Sequence, residues 1–195
     1  MPRIDAAALD ALFFAARSHN KWTDRDVPDA SLRELAETLR WAPTSGNASP
    51  LRIVFAKSPE AKARLIPLLS QGNREKTMAA PVAAILGADL RFWRHLPKLA
   101  PHRNPASWEN APVDLTTRNA MRDATLQCGY FILAARALGL DCGPMGGFDA
   151  TAVEREFFAG GEIRANLVCA LGHGDPTGLR PRAQRLAFEE FATII

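Results

Sequence analysis

Thr116–Asp149 reads TTRNAMRDATLQCGYFILAARALGLDCGPMGGFD. In its first part Ala120, Ala124, Cys128, Phe131, Ala135 and Leu138 recur every third or fourth residue, with Met121 and Ile132 beside them. That period lays a broad apolar face along a helix. It is the longest such pattern in the chain, so Thr116–Leu138 is predicted to be the central core helix. Gly139 stops it, because glycine accepts the left-handed turn that ends helices. The rest of the stretch has no helical period. Gly143, Gly146 and Gly147 crowd around Pro144 and Met145. Without side chains the backbone can approach a flat ligand closely, and its free N–H groups can point at it. The plainer alternative is a glycine-rich loop that Phe148 plugs into the core.

Working outward, Asp5–Arg17 carries Leu9, Leu12, Phe13 and Ala16 at helical spacing and predicts an amphipathic helix. Pro28–Ala42 predicts a second, with Ser31 and Glu34 as a capping box and Leu32, Leu35, Ala36 and Leu39 as its buried stripe. LRIVFA, Leu51–Ala56, is a short β-branched and aromatic run, hence a strand. Ser58, Pro59 and Glu60 are a cap, a first-turn proline and a first-turn acid, so a helix follows to about Leu69. Val82–Ala88 and Asn166–Leu171 are further strand candidates. Thr151 and Glu154 suggest a capped helix that ends near Gly160–Gly161. Phe188–Ile195 reads as a short helix or arm. Residues 89–113 hold four prolines, Trp93, Trp108, His95 and His102 with no clean period. They predict an excursion over the surface, a candidate lid. Trp93 and Trp108 either cap the core or gate a site. Helices alternate with single strands, so the class is α/β or α+β with one sheet.

Composition bounds the function. The 195 residues are 47% hydrophobic and 23% charged, which suits one globular domain over 1–195 and excludes a collagen, a coiled coil or a disordered tail. Met78–Ala88, the longest uncharged apolar stretch, is too short to span a bilayer. Asp5 and Asp10 interrupt any secretory signal, so a cytoplasmic protein is expected. Three cysteines without a CxxC pair argue against a disulfide framework, a zinc knuckle or another metal site. The net charge is +3, with basic residues mostly interspersed among acids. Arg180, Arg182 and Arg185 are the exception. No basic stripe emerges, so no nucleic-acid partner is expected.

The short motifs are mostly negative. Gly172-His173-Gly174 with Gly178 follows a strand, but its spacing is GxGxxxG and no helical pattern follows, so it is not read as a dinucleotide loop. His95 and His102 have poor metal-ligand spacing. No acid, base and nucleophile trio stands out, which favours chemistry carried by an organic cofactor. Four segments carry unusual loop chemistry. Arg17-Ser18-His19-Asn20-Lys21-Trp22 could hold a phosphate or polyol, or simply be a solvated helix end. Trp41–Pro50 presents Thr44, Ser45 and Asn47 from a loop longer than a turn needs. Asn73 and Lys76 share a face if Gly72–Lys76 is helical. Gly139–Asp149 is the fourth.

In order, ARSHNKW (16–22), WAPTSGNASP (41–50) followed by LRIVF, LSQGNREKT (69–77), APV (80–82), LGLDCGPMGGFD (138–149) and the C-terminal arginines with LAFEE (186–190) resemble the nitroreductase family of FMN-dependent NAD(P)H oxidoreductases. The likeness covers nearly the whole chain. It is closest to a compact branch that includes reducers of malonic semialdehyde. The resemblance implies an α+β sandwich with a mainly antiparallel sheet flanked by helices, completed by dimerisation with FMN at the homodimer interface. It implies that Arg17, Ser18 and Asn20 hold phosphate and ribityl, and that Arg182 and Arg185 clamp the phosphate with help from Arg180. It puts Asn73 and Lys76 at the flavin's polar edge, Lys76 stabilising the reduced ring. Pro144, Met145, Gly146 and Gly147 would lie against the ring, and Pro43, Thr44, Ser45 and Asn47 would reach the partner subunit's flavin. The implied reaction is ping-pong hydride transfer from NADH or NADPH to a nitroaromatic, a quinone or a small aldehyde such as malonic semialdehyde. His102 or Arg103 could bind that aldehyde's carboxylate, or simply be surface. The alternative is a non-catalytic flavin-binding regulatory module. Two departures stand out. Asn20 occupies a position that is often basic, and Ala48-Ser49-Pro50 replaces the family's Gln-Pro after the loop asparagine.

Overall fold

The computed structural model describes residues 2–195. Four strands, β1 (Leu51–Ala56), β2 (Val82–Asp89), β3 (Asp141–Met145) and β4 (Ile163–Gly172), form one sheet in the order β1-β2-β4-β3. Each neighbouring pair is antiparallel, which resolves the class to α+β. The helices among the described residues are α1 (Ala6–Leu9), α2 (Asp29–Leu39), α3 (Pro59–Leu65), α4 (Gln71–Ala79), α5 (Leu96–Leu99), α6 (Ala106–Glu109), α7 (Val113–Ala137), α8 (Ala150–Phe157) and α9 (Phe188–Phe191).

Both faces of the sheet are covered. Successive strand residues point to opposite faces. On β2, Val82, Ala84 and Leu86 join Leu35 and Leu39 of α2 and Phe131 and Ala135 of α7 in one core. Ala83 and Ile85 join Trp22, Leu65, Leu69, Val153 and Phe158 in the core opposite. This is why β2 reads as an unbroken apolar run rather than an alternation. Cys128, Cys142 and Cys169 are free thiols buried together in the first core. Burial pushes the Cys128 thiol up to about 12. Cys169 is raised too, by its hydrogen bond to Cys142 and by burial.

α7 is the core helix the period predicts, begun a turn earlier after Pro112. At its end Leu140 N donates to Ala135 O and Gly139 N to Arg136 O, with Gly139 at φ +73°. That pairing is the Schellman stop, which needs a left-handed residue. Between β2 and α7, Phe92, Trp93, Leu96 and Ala100 bury themselves with Ala48, Ala120 and Ala124 in a third small core. Trp108 meets Phe92 edge-on, with ring centroids 5.2 Å apart.

Several expected caps and boundaries fall differently. α2 starts at Asp29, so Ser31 and Glu34 lie inside the helix and make no capping box. α8 is capped by Asp149, whose side chain accepts from Ala152 N, and not by Thr151. Glu154 instead accepts from Ala165 N and pairs with Arg164. The expected N-terminal helix stops early. α1 passes into a π turn over Asp10–Phe14, leaving Phe13 and Phe14 50% and 67% exposed. Leu9 and Leu12 are half-buried, while the two phenylalanines stay outside. The start of the glycine-rich stretch is a strand, the edge strand β3, where Pro144 is tolerated.

Phe131 is fully buried and stacks near Phe55, 6.5 Å between centroids. Phe131→Ala is expected to cost about 3–5 kcal/mol, measured as a lower urea midpoint at unchanged m-value.

Candidate functional site

After the π turn the chain crosses the free edge of β3. Ser18 bridges Cys142 in parallel, and His19 N donates to the Cys142 carbonyl at 3.0 Å. Trp22 then pairs with Gly174, and Thr23 N donates to His173 O at 2.9 Å. His19 is turned inward and is only 7% exposed. Its Nε2 lies 3.5 Å from Asp141 Oδ1, while Asp141 Oδ2 accepts from Gly174 N at 2.8 Å. A Cβ on Gly174 would sit 2.0 Å from His19 Nδ1, and one on Gly143 would sit 2.5 Å from His19 O. Gly174 is therefore glycine because an imidazole presses on its backbone. This accounts for half of the glycine pair that looked like a dinucleotide loop.

Two further ties bring α4 to the same place. Trp22 Nε1 donates to the Lys76 carbonyl at 2.8 Å. The Gly147 carbonyl accepts twice, from Ser70 N at 3.0 Å and from Asn73 Nδ2 at 2.9 Å. Met145 is buried, and its Sδ accepts from the Thr77 hydroxyl. Only its backbone can face a ligand. Asn73 likewise spends one amide hydrogen on the chain itself. Gly146 has nothing within 4 Å of where a Cβ would stand, so open space lies there.

A cavity of about 630 Å³ lies between Asn20, Lys21, Glu75, Lys76 and Arg180. Lys21 is engaged, by Asp175 at 3.0 Å and Thr177 at 2.9 Å. Hydrogen bonds from Thr177 and Lys21 hold the Asp175 carboxyl at about 2. The Lys76 ammonium makes no ion pair among the described residues. A second hollow of about 430 Å³ is lined by Arg17, Ser18, Arg136, Arg182 and Arg185 beside Phe13 and Phe14. Arg182 Nη2 donates to the carbonyls of Phe14, at 2.7 Å, and Ala16, at 2.9 Å. Arg17, on the lining of this hollow, donates to the carbonyl of Arg180, on the lining of the first, so the two linings are tied together. Arg185 bonds the carbonyls of Ala183 and Gln184. A larger hollow of about 730 Å³ lies between α2 and β1, but its Lys57 is already paired with Asp29.

Three of the four sequence segments thus converge. The loop holding Pro43, Thr44, Ser45 and Asn47 does not. Ser45 N donates to Asp123 Oδ2 at 2.9 Å, and Asn47 Nδ2 to Leu99 O at 2.8 Å. Asp123 stands 13 residues before Arg136 on α7, about 20 Å of helix. The loop is wound tightly, with Gly46, Asn47 and Ser49 at φ +61°, +56° and +44°. The Arg103 guanidinium lies over Gly46 so closely that a Cβ there would meet it at 2.7 Å. His102 and His95 are exposed. Sequence reasoning missed His19, Asp141, Asp175 and Arg136 as parts of the site. The turn chemistry of Asp175-Pro176-Thr177 was the available signal for Asp175.

The family model for nitroreductases matches residues 15–174. The chain belongs to the nitroreductase family. It is 54% identical to a Leptothrix cholodnii protein over 98% of both chains, and 53% identical to one from Burkholderia lata over the full length of both. Both relatives bear the name NADH dehydrogenase/NAD(P)H nitroreductase. A solved structure from Exiguobacterium sibiricum, described as a nitroreductase in complex with FMN, superposes with a TM-score of 0.86 at 20% identity over the whole of both chains, a likeness of fold. No described helix is long and apolar enough to cross a membrane.

Gly174→Ala must force the His19 ring aside and is expected to cost about 1–3 kcal/mol, whereas Gly146→Ala should leave the melting temperature unchanged. Because the folded Asp175 sits at about 2, below its unfolded value, its contribution to stability is complete above about pH 4 and is lost as pH falls toward 2. Asp175→Asn is expected to remove that part of the acid-unfolding profile, as read by circular dichroism.

Proposed function

We propose that this chain is an FMN-dependent NAD(P)H oxidoreductase that reduces small acceptors and works as a homodimer. The observation that carries the reading is the pair of hollows whose linings Arg17 ties together, one rimmed by arginines without carboxylates and the other lined by a lysine with no ion pair among the described residues. That donor set suits FMN. Arg17, Arg182 and Arg185 would neutralise the phosphate through charge-assisted hydrogen bonds. Ser18 and Asn20, both exposed at the rim, would bond the ribityl hydroxyls. The open face at Gly146 has room for a flat ring, and Asn73 keeps an amide oxygen and one hydrogen for the ring's edge. When bound, FMN supplies the hydride relay between NADH or NADPH and the acceptor. Lys76 would set its positive charge at the polar edge, where negative charge develops on reduction.

The second copy is needed for the fourth segment. Pro43–Asn47 is far from its own chain's hollows, so a partner's loop would close them. Exposed Phe13, Phe14, Leu126, Tyr130, Phe188 and Phe191 supply apolar surface for such a partner. Nitroaromatics, quinones and small aldehydes are the acceptors that fit this chemistry. For malonic semialdehyde, Arg103 is the cation available to the carboxylate, since it lies over Gly46 of the same loop. A product alkoxide can take its proton from water. Three free buried thiols accord with a cytoplasmic setting.

The purified protein is expected to be yellow, to release FMN on denaturation, and to bleach when NADH or NADPH is added without oxygen. A colourless protein that cannot be reloaded with FMN would overturn the reading, and a yellow one that never bleaches would be a flavin-binding module instead. Arg17→Ala with Arg182→Ala is expected to weaken FMN binding about a hundredfold. Lys76→Ala should lower the rate of flavin reduction by about a hundredfold, followed by stopped-flow absorbance.

A further inference from the structure

Arg136 stands in the last turn of α7, where a cation complements the helix dipole. Its side chain does more than that. Nη1 reaches the Leu12 carbonyl of the π turn at 2.8 Å. Nε is buried and has no hydrogen-bond partner among the described residues. The guanidinium walls the smaller hollow together with Arg17, Arg182 and Arg185. No aspartate or glutamate lines that hollow, and none of the four arginines is in an ion pair among the described residues. Four guanidinium groups around one small hollow repel one another. Screening over about 8 Å at physiological salt does not remove repulsion at that range. An anion with several acceptor oxygens does.

The π turn is held from two sides. Arg136 grips Leu12 O from α7, and Arg182 grips Phe14 O and Ala16 O from the C-terminal stretch. Arg17 follows directly on that turn. Its direction therefore depends on both grips, and only the second was legible in the C-terminal arginine cluster.

We propose that Arg136 is a positioning residue for a phosphate monoester. It fixes the π turn through Leu12 and sets its own charge behind Arg17 and Arg182, so that the hollow favours a phosphorylated flavin over the same flavin without phosphate. This inference rests on the reading in the previous subsection and adds a residue to it. The test compares equilibrium binding of FMN and riboflavin to the full chain stripped of flavin, followed by fluorescence quenching. Arg136→Met is expected to weaken FMN about tenfold to a hundredfold and leave riboflavin unchanged, with Arg136→Lys between. An equal loss for both flavins, or none for either, overturns the proposal, because a purely structural arginine would not discriminate by phosphate. Should R136M fail to fold, R136K carries the same comparison, with a several-fold loss confined to FMN expected. If the wild type binds neither flavin, the FMN reading falls and pyrophosphate alone decides for Arg136. A pyrophosphate-dependent rise in melting temperature that R136M lacks supports it. A rise in both proteins, or in neither, overturns it.

Discussion

An open edge of a β-sheet presents unpaired N–H and C=O groups that must find partners, and this chain closes the β3 edge with its own N-terminal segment. How close that segment can come is set by one buried imidazole. His19 lies against the backbones of Gly143 and Gly174, and no side chain fits at either place. With His19 and Trp22 turned inward, Ser18, Asn20 and Lys21 are left outward. The chemistry of the rim is thus a by-product of how the edge is sealed. Arg17 and the C-terminal arginines meet there only because the seal holds the segment in line.

The two ends of the sheet have different tasks. The seal lies at the end where β2 begins and β4 finishes, and α4 is tied to it through Lys76 and to the turn after β3 through Asn73. At the other end, the 43–50 loop is wound onto α7 and the short helices of residues 89–113. Ser45, Asn47 and Gly46 are each held there by a different element, through Asp123, Leu99 and Arg103. A loop so pinned is preorganised, and its left-handed residues are kept in place by those contacts.

The parts of the fold that were legible are those governed by a regular period. β1 matches LRIVFA residue for residue, and α7 follows its apolar face, because burial on one or both sides imposes a repeat of 3.6 or 2. Caps were less legible. Asp149 and Thr151 are both good capping residues two positions apart, and only the tertiary course of the chain selects between them. Of the site, Arg17, Lys76 and Arg182 stood out by residue type. Their convergence did not, since it rests on hydrogen bonds such as Trp22 to Lys76 and Asn73 to Gly147, whose partners are distant in sequence. Arg136 was hidden within a helical pattern that reads as core, and Lys21 looked free until Asp175 came beside it.

The three thiols enclosed in the first core have a use independent of the site. Cys128, with its acidity suppressed to about 12, holds almost no thiolate at neutral pH, and no thiol is at the surface. A disulfide reagent in solution can reach them only when the sheet and α7 part. The rate at which the folded chain is labelled therefore counts openings of its interior, so the protein carries its own clock for that motion.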